Sequence, residues 1–503
     1  MPQHTTRRPS TRRPSTRRTA TEHPVRPRLL GGDRERLGDG AAVLEAAQAL
    51  PQQIARRKPP RRFALLDRYG WYEPRSEGAW STTRQSEALN LAISRRSARH
   101  QGAVTGLNRI SQDLVITDPF ELYGTDISNI NVCVVGDIGK GKSSMIKTAF
   151  LWRQIIFGRQ VVVIDKKRQG SEGEYSIFAR TLGVESVRFK TGGGGARLNL
   201  LDPAITTGGE HAGGLDGVTP AGQEALVLAV LADTMERPLT TPEKSAVGRA
   251  LELVNADAAA TGRAPVLEDL ARRLVEPSTD DGTYFGDRWS ERSLEWGYQP
   301  GLALLRLVDR DLKGLVDAET SPEVRAALEH PFAHFDVSAL PTEGPALRVV
   351  MTVINTWLAN LLAARSSVSK QTILIVEEGW HVAEGSTGTV FRSNMKLSRG
   401  LGLSTVSAFH HPSDMSHDSP ARALMQEAGI VFLFAQERFD DARETAEMYH
   451  LPPGSIDIIM GLGQGECLVK IGSSDPILME HVRSPQEIAL TDTDAAVKGV
   501  TPA

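Results

Sequence analysis

Residues 136–144 read GDIGKGKSS and stand between an apolar run, INVCVVG, and a helical pattern, SSMIKTAFLWRQIIF. Gly136, Gly141, Lys142 and Ser143 match the spacing G-x-x-x-x-G-K-[ST] in this strand–loop–helix context. Glycines let backbone N–H groups turn around a β-phosphate, the lysine bridges the β- and γ-phosphates, and the serine hydroxyl holds Mg²⁺. The alternative is a chance glycine–lysine turn, which the flanking strand and helix disfavour. The sequence therefore predicts a phosphate-binding loop, called the P-loop below, that consists of Gly136, Asp137, Ile138, Gly139, Lys140, Gly141, Lys142, Ser143 and Ser144.

A pair of acidic residues ends another apolar run, TILIVEE. Nucleotide hydrolysis requires a carboxylate near the metal and one that orients the attacking water, usually at the end of a neighbouring strand. Glu377 is accordingly predicted to reach Mg²⁺ and Glu378 to orient the water. Two acids after a strand can also be simply solvated, so this assignment depends on the P-loop upstream.

The overall composition limits the class of protein. A chain of 503 residues, 40% hydrophobic and 24% charged, can form one large domain with an embedded subdomain or two domains. The net charge of −3 means that nucleic acid would have to meet a local basic patch. Cys133 and Cys467 each lie in an apolar run, which predicts buried, reduced thiols and excludes a cysteine metal cluster. The best apolar run, RVVMTVINTWLANLLAA, contains Asn355 and Asn360, so we expect a soluble or membrane-peripheral protein.

The first 40 residues differ from the rest of the chain. They contain TRRPSTRRPSTRR, a repeated five-residue unit, and almost no apolar residues. Such a segment cannot form a core, so residues 1–40 are predicted to be a disordered, arginine-rich arm. Paired arginines also occur in export signals, but no apolar stretch follows these. Two roles remain: a basic arm that contacts DNA or anionic lipid, or a solubilising tail.

Short apolar runs follow one another from residue 105 onward: NINVCVVG, QVVVIDKK, SVRFK, TILIVEE, LSTVSAF and IVFLFAQ. These runs are apolar throughout and do not alternate between apolar and polar residues, which is typical of strands in a parallel sheet covered on both faces. GECLVKIG and PILMEHV, joined by SSD, predict an antiparallel hairpin at the sheet edge. Helical patterns replace the strands between 214 and 340, one beginning with Thr241 as N-cap before Pro242 and another with Ser321. The predicted fold class is α/β, with a small N-terminal segment at 41–104, a sheet domain formed by 105–213 and 341–497, and an all-α insertion at 214–340.

Several further motifs resemble one family. They are TGLNRISQDLVITDPF ahead of the P-loop, VVVIDKKRQGSEGEYSIFARTLG and LNLLDP after it, and then IVEEGWHV, SRGLGLSTVSAFHHPSD and LPPGSIDIIMGLGQGECLVKIGSSDPILMEHVRSPQE. With them, residues 105–494 resemble the conjugative type IV secretion ATPases (the TraC and TrbE group) of the HerA/FtsK superfamily. The family pattern D-x-K-x-x-E-Y is matched by Asp165, Glu174 and Tyr175 with two extra residues between them.

This resemblance implies a RecA-like P-loop NTPase domain that binds ATP and Mg²⁺ and assembles as a homo-hexamer. Its partners would be type IV secretion channel components, which places the protein in the cytoplasm, peripheral to the inner face of the cell membrane. ATP hydrolysis would drive assembly of a conjugation machine or the passage of DNA and protein through it. ATP is preferred over GTP because no N-K-x-D motif ends a strand. DNA, bound through the basic arm, is a further expected partner.

Three features depart from the family pattern. Glu377 replaces the usual metal-side aspartate, so an aspartate at this position is expected to preserve or raise the rate. His410 stands where the family has a glutamine that senses the γ-phosphate, and a histidine can donate the same kind of hydrogen bond. Only residues 1–104 precede the match, whereas the family has a large membrane-proximal N-terminal domain.

A catalytic arginine from a neighbouring subunit is expected from the segment FRSNMKLSRG. Arg399 is the better candidate and Arg392 the weaker one, although most arginines on such helices are merely solvated.

Two other functions stay open at the level of sequence. A DNA-pumping translocase or coupling protein of the same superfamily is favoured by the basic arm. A nucleotide-binding scaffold that changes shape without turnover is favoured by the substitutions at Glu377 and His410. DNA-stimulated phosphate release would separate the first two functions, and the absence of any release would select the third. The sequence does not determine the cargo, the docking partner, the host, whether the ring forms alone, or whether Glu377 and His410 permit efficient hydrolysis.

Overall fold

The computed structural model describes residues 63–68, 101–203, 222–279, 281, 288–342, 344–364, 370–377, 385–414 and 420–491. The chain divides into two units, residues 1–85 and residues 86–503. In the first unit the structure describes one short helix, α1 (Ala64–Arg68). The predicted disordered arm at 1–40 lies outside the described residues, and most of the small segment at 41–104 does as well.

A large mixed sheet forms the second unit. Its eleven described strands are β1 (Val104–Asn108), β2 (Leu114–Ile116), β3 (Val132–Val135), β4 (Gln160–Asp165), β7 (Val187–Arg188), β8 (Phe332–Asp336), β9 (Thr372–Val376), β10 (Leu403–Phe409), β11 (Ile430–Phe434), β12 (Glu466–Ile471) and β13 (Ile477–His481). A separate small hairpin follows β4 and consists of β5 (Arg168–Gln169) and β6 (Glu172–Gly173). The order across the large sheet is β2-β1-β13-β12-β11-β3-β10-β9-β4-β8-β7.

The strands from β11 to β7 in that order are parallel, and β12, β13, β1 and β2 extend the sheet in antiparallel fashion. The mainly parallel sheet predicted from the sequence is therefore confirmed. One detail was wrong: the β12–β13 hairpin is not at the edge, because β13 pairs with β1 and β1 pairs with β2. The short strand β2 forms that edge instead.

Both faces of the central part of the sheet are buried, which explains why strands such as β3, β9 and β11 are almost entirely apolar. In β3, Cys133 and Val135 belong to the hydrophobic core on one face, and Val132 and Val134 belong to the core on the other. Successive side chains of a strand point to opposite faces, so a strand covered on both sides needs an uninterrupted apolar run. Cys133 and Cys467 are both buried and free, as predicted.

Helices cover these faces. The first group after the P-loop is α2 (Lys142–Met145), a π-helix (Ile146–Trp152) and α3 (Arg153–Ile156), followed by α4 (Ser176–Leu182). The middle of the chain contributes α5 (Gln223–Thr234), α6 (Thr241–Thr261), α7 (Leu267–Val275), α8 (Trp289–Arg306), a second π-helix (Leu307–Asp311) and α9 (Pro322–Ala327). The last part contributes α10 (Pro345–Ala364), α11 (Gly385–Lys396), α12 (Ser398–Leu401), a 3₁₀ turn (Pro412–Asp414), α13 (Pro420–Gln426), α14 (Phe439–Met448), α15 (Ser455–Gly461) and α16 (Pro485–Thr491).

An all-α insertion was predicted for residues 214–340. Within the described residues of that range, helices lie between Gln223 and Ala327, and β8 then follows as the strand next to the sheet edge, between β4 and the edge strand β7. The N-cap of α6 is Thr240 rather than Thr241: its hydroxyl accepts from the Glu243 backbone N–H, and the Glu243 carboxylate accepts from the Thr240 N–H. This reciprocal capping box uses the residue one position earlier because Glu243 must stand three residues after the cap. Ser321 precedes α9 as predicted.

One described helix, α10, is long and apolar enough to cross a membrane by length and composition. Its 19-residue stretch Pro345–Ala363 is 89% buried inside the protein. The helix therefore packs as a core helix against the sheet, and its asparagines, Asn355 and Asn360, are fully buried with it.

Candidate active site

The backbone of the P-loop requires glycine at its two motif positions. Gly136 follows β3 directly with φ of 145°, and Gly141 has φ of 104°. A Cβ atom at Gly136 would lie 2.7 Å from the Cβ of Phe434, and one at Gly141 would lie 3.2 Å from the backbone N of Gly465. Residues other than glycine rarely adopt these φ values. The backbone conformation and the close approach of neighbouring chain segments therefore both favour glycine at positions 136 and 141.

Apart from Gly136, the predicted P-loop residues divide into two groups. Ile138, Gly139, Gly141, Lys142, Ser143 and Ser144 line a cavity of about 650 Å³. The side chains of Lys140 and Asp137 instead fix the loop to a neighbouring segment. The Lys140 Nζ lies 2.6 Å from Glu437 Oε1, and Asp137 Oδ2 accepts from the Glu437 backbone N–H at 2.6 Å. These contacts join the loop to the segment after β11.

Lys142 is the first residue of α2, and its side chain folds back over the loop. Its Nζ donates to the carbonyl oxygens of Gly136 at 2.6 Å and Asp137 at 2.7 Å, and lies 3.2 Å from His410 Nδ1. Burial lowers the pKa of Lys142 to about 7, and the nearby Lys167 charge acts in the same direction. The structure thus brings together Lys142 and His410, which the sequence predicted to contact the phosphates from two different strand ends.

Glu377 follows β9 and is only 1% exposed. Its carboxylate accepts hydrogen bonds from Ser143 Oγ at 2.9 Å, from Lys167 Nζ at 2.7 Å and from the Tyr175 hydroxyl. Burial alone would raise the pKa of this carboxyl, but the Lys167 and Lys147 charges and these hydrogen bonds outweigh it and hold the pKa at about 2. Glu377 is therefore an ionised carboxylate beside the P-loop serine, where the sequence predicted it.

The donor set of Ser143 and Glu377 fits Mg²⁺. A hydroxyl and a carboxylate are the oxygen ligands that this ion takes, at about 2.0–2.1 Å in octahedral geometry. Two adjacent ligands of such an octahedron are about 3 Å apart. Ser143 Oγ and Glu377 Oε2, 2.9 Å apart, match that spacing.

Lys167 and Tyr175 were missed as site residues. Lys167 lies two residues after β4, and its Nζ contacts Ser143 Oγ at 2.9 Å as well as Glu377. Tyr175 is completely buried, and its backbone N–H donates to Asp165 Oδ2 at 2.8 Å. In the sequence, Tyr175 stands out only as a match to the family pattern. Two signals for Lys167 were available: it stands at the lysine of the family pattern D-x-K-x-x-E-Y, two residues after Asp165, and it lies just beyond a buried strand, where other strands of the sheet place Glu377 and His410.

A second buried ion pair supports this wall of the site. Lys147, on the π-helix after the P-loop, is 1% exposed, and its Nζ lies 2.7 Å from Glu174 Oε1. The same ammonium lies 5.0 Å from the centre of the Tyr175 ring. A buried charge is tolerated only when it is paired, so Lys147 and Glu174 fix the helix to the segment that carries Tyr175.

The opposite wall comes from the antiparallel part of the sheet. The Gly465 N–H donates to the Lys140 carbonyl at 3.0 Å, and Gln464 Nε2 donates to the Gly139 carbonyl at 3.1 Å. His481, at the end of β13, also lines the cavity, and its Nδ1 donates to the Thr105 carbonyl at 2.7 Å. Burial lowers the pKa of His481 to about 4, so the ring is neutral at pH 7.

The remaining predicted residues are not part of this cluster. Glu378 lies outside the described residues. Arg399 is exposed on α12, at the start of β10, while His410 follows the end of that strand. Seven strand residues span about 20 Å, so Arg399 is remote from the P-loop of its own chain. Arg392 is engaged within the chain, with its Nη2 2.8 Å from Glu427 Oε1.

Comparison with known proteins gives a likeness in structure. No protein-family model matches the chain, and no curated protein does. VirB4 of Thermoanaerobacter pseudethanolicus superposes with a TM-score of 0.61 and 22% identity, over 78% of this chain and 99% of that one. The plasmid coupling protein TrwB, in complex with the non-hydrolysable ATP analogue ADPNP, gives a TM-score of 0.48 and 13% identity over 78% and 96% of the two chains. The chain therefore shares its fold with VirB4, and the RecA-like α/β fold predicted from the sequence is confirmed.

Proposed function

We propose that this protein is an ATP-hydrolysing motor of a type IV secretion or conjugative transfer system. One observation carries the proposal. Lys142, Ser143 and Glu377 converge at the carboxyl ends of β3 and β9, in a sheet whose fold is that of VirB4. An ionised carboxylate beside a P-loop serine is the pair that holds a nucleotide-bound metal ion in P-loop NTPases.

Each residue of the cluster has a role in this proposal. Lys142, buried and released from its carbonyl partners, contacts the β- and γ-phosphates. Ser143 and Glu377 hold Mg²⁺, which would offset the negative charge that develops on the transferred phosphoryl group. Glu378 orients the attacking water, and His410, within reach of Lys142, donates a hydrogen bond to the γ-phosphate.

The assembly and location follow the same family of machines. We propose a homo-hexamer, because Arg399 is exposed and too far from its own P-loop to act there, so that only a neighbouring subunit could use it. The ring would dock on channel components at the inner face of the cell membrane. The buried state of α10 supports a peripheral rather than an inserted protein.

The experiment that tests the proposal is steady-state phosphate release by the purified full chain. Lys142→Ala is expected to abolish turnover and weaken nucleotide binding, because no other P-loop side chain can bridge the phosphates. Lys244→Ala is the matched control, since Lys244 is an exposed lysine on α6. Unchanged turnover in Lys142→Ala would refute the P-loop assignment.

A second comparison separates the motor from the scaffold. Glu378→Gln keeps the size of the side chain but loses the charge that orients water, so turnover should fall by a factor on the order of 10² while ATP remains bound. DNA is added in a parallel series: stimulated release would favour a DNA translocase over a secretion motor. Wild-type protein that binds ATP and releases no phosphate under either condition would replace the motor by a scaffold.

A further inference from the structure

The ammonium group of Lys167 lies at the two oxygens assigned to Mg²⁺. Its Nζ is 2.9 Å from Ser143 Oγ and 2.7 Å from Glu377 Oε2, and these two oxygens are 2.9 Å apart. The three polar atoms therefore form a closed triangle.

The approach to this pair of oxygens is one-sided. Glu377 is 1% exposed, whereas the Lys167 side chain is 27% exposed, and Lys167 and Ser143 both line the cavity. The ammonium thus reaches the pair from the open side, on which a metal ion carried by a nucleotide would also arrive. An ammonium and a divalent cation cannot both contact these two oxygens from that side, because their charges repel strongly at such separations.

The side chain of Lys167 can leave while its backbone stays in place. The backbone N–H donates to Asp165 Oδ1 at 3.1 Å, and the carbonyl accepts from the Glu174 N–H at 2.9 Å. A lysine carries its charge on a flexible four-carbon stem. The main chain of Lys167 is therefore fixed, whereas its flexible side chain lines the cavity and has room to move.

We propose that Lys167 competes with Mg²⁺ for Ser143 and Glu377 and is displaced when the metal enters with the nucleotide. Without the metal, the lysine neutralises a buried carboxylate and keeps it directed at Ser143. With the metal, the dication takes over this task. Lys167 is accordingly a positioning residue that sets the metal affinity of the site. The inference rests on the proposed nucleotide function.

The test measures metal binding rather than turnover. Mn²⁺ is titrated into the full chain saturated with ADP, and free Mn²⁺ is counted by electron paramagnetic resonance. Lys167→Met should bind Mn²⁺ about tenfold tighter or more, since a hydrogen bond between charged groups has to be broken only in the wild type. Lys166→Met is the matched control, because the neighbouring lysine donates instead to the Leu340 carbonyl and should leave the affinity unchanged.

Further variants keep the outcome decisive. Lys167→Arg retains the charge and should return the affinity towards the wild-type value. In a Glu377→Gln background the Lys167→Met change should have little further effect, because the carboxylate for which the two cations compete is gone. Equal Mn²⁺ affinity of wild type, Lys167→Met and Lys167→Arg would overturn the inference alone. Absence of any ADP-dependent Mn²⁺ binding in the wild type would overturn the proposed nucleotide site itself.

Discussion

Glu377→Asp is the substitution for which sequence and structure give opposite expectations. The resemblance predicted that an aspartate would preserve or raise the rate. In the structure, however, the glutamate carboxylate reaches Ser143, Lys167 and Tyr175 at once. Removing one methylene withdraws the carboxylate by about 1.5 Å. The contacts at 2.9 and 2.7 Å would then exceed about 4 Å, beyond hydrogen-bond range.

The expected cost follows from these contacts. A hydrogen bond to a charged group contributes about 1.5–3 kcal/mol, and the losses are not additive when water or a shifted backbone replaces part of them. We therefore expect the free energy of unfolding to fall by about 3 kcal/mol in the absence of nucleotide and metal. Because the unfolding entropy is about 2.1 cal/mol/K per residue, the Tm of the unit formed by residues 86–503 should fall by about 3–4 °C. Turnover should fall as well, by about tenfold or more, because the carboxylate no longer lies beside Ser143.

The assay is thermal unfolding in buffer with a chelator, followed by phosphate release at saturating Mg²⁺ and ATP. Glu437→Asp serves as the control, because Glu437 is an exposed glutamate that forms an ion pair with Lys140, and this variant should show little change in Tm. A Glu377→Asp protein as stable and as fast as wild type would mean that the three contacts do not hold the carboxylate, and the family spacing would then be the better guide.

Three further predictions concern other parts of the chain. If a neighbouring subunit supplies Arg399, Arg399→Ala should lower turnover by roughly 10³-fold and leave ATP affinity nearly intact. Arg392→Ala should not lower turnover to this extent. A protein that is active and monomeric by native mass would exclude the arrangement. Folding lowers the pKa of His481 to about 4. The free energy of unfolding should therefore decrease by about 3 kcal/mol as the pH falls from about 6.5 to 4. Denaturant unfolding should show this decrease in the wild type and in His330→Gln but not in His481→Gln. Deleting residues 1–40 should flatten the salt dependence of DNA binding by about one unit per lost phosphate contact, and identical titrations would leave the arm a solubilising tail.

The parts of this structure that sequence could predict are those that local physics determines. The P-loop glycines are required by backbone conformation, and the strand before and helix after it have their own patterns. The strand-end position of Glu377 was readable for the same reason, because a buried apolar run followed by an acid places that acid at the edge of a parallel sheet. His410 follows the same rule at the end of β10.

The parts that sequence missed depend on contacts between distant segments. Strand β8 was taken for part of the helical insertion because FAHFD has polar residues inside it. His334 is nevertheless buried, since its ring contacts Asp165 on β4 and Ser186 ahead of β7. Lys167 stands at the lysine of the family pattern D-x-K-x-x-E-Y, but the pattern does not show that its ammonium meets Glu377, 210 residues later.

The turn at Gln464 and Gly465 has a consequence for biosynthesis. These two residues donate to the Gly139 and Lys140 carbonyls, 325 residues earlier in the case of Gln464. Glu437 fastens the same loop from the other side. When the P-loop motif has just been synthesised, the residues that hold the loop in place do not yet exist. Contacts between such distant segments also form late in folding. The nascent chain acquires the clamped loop only after Gln464 and Gly465 have been synthesised, and a product truncated before Gln464 would carry the motif without the clamp that shapes the loop.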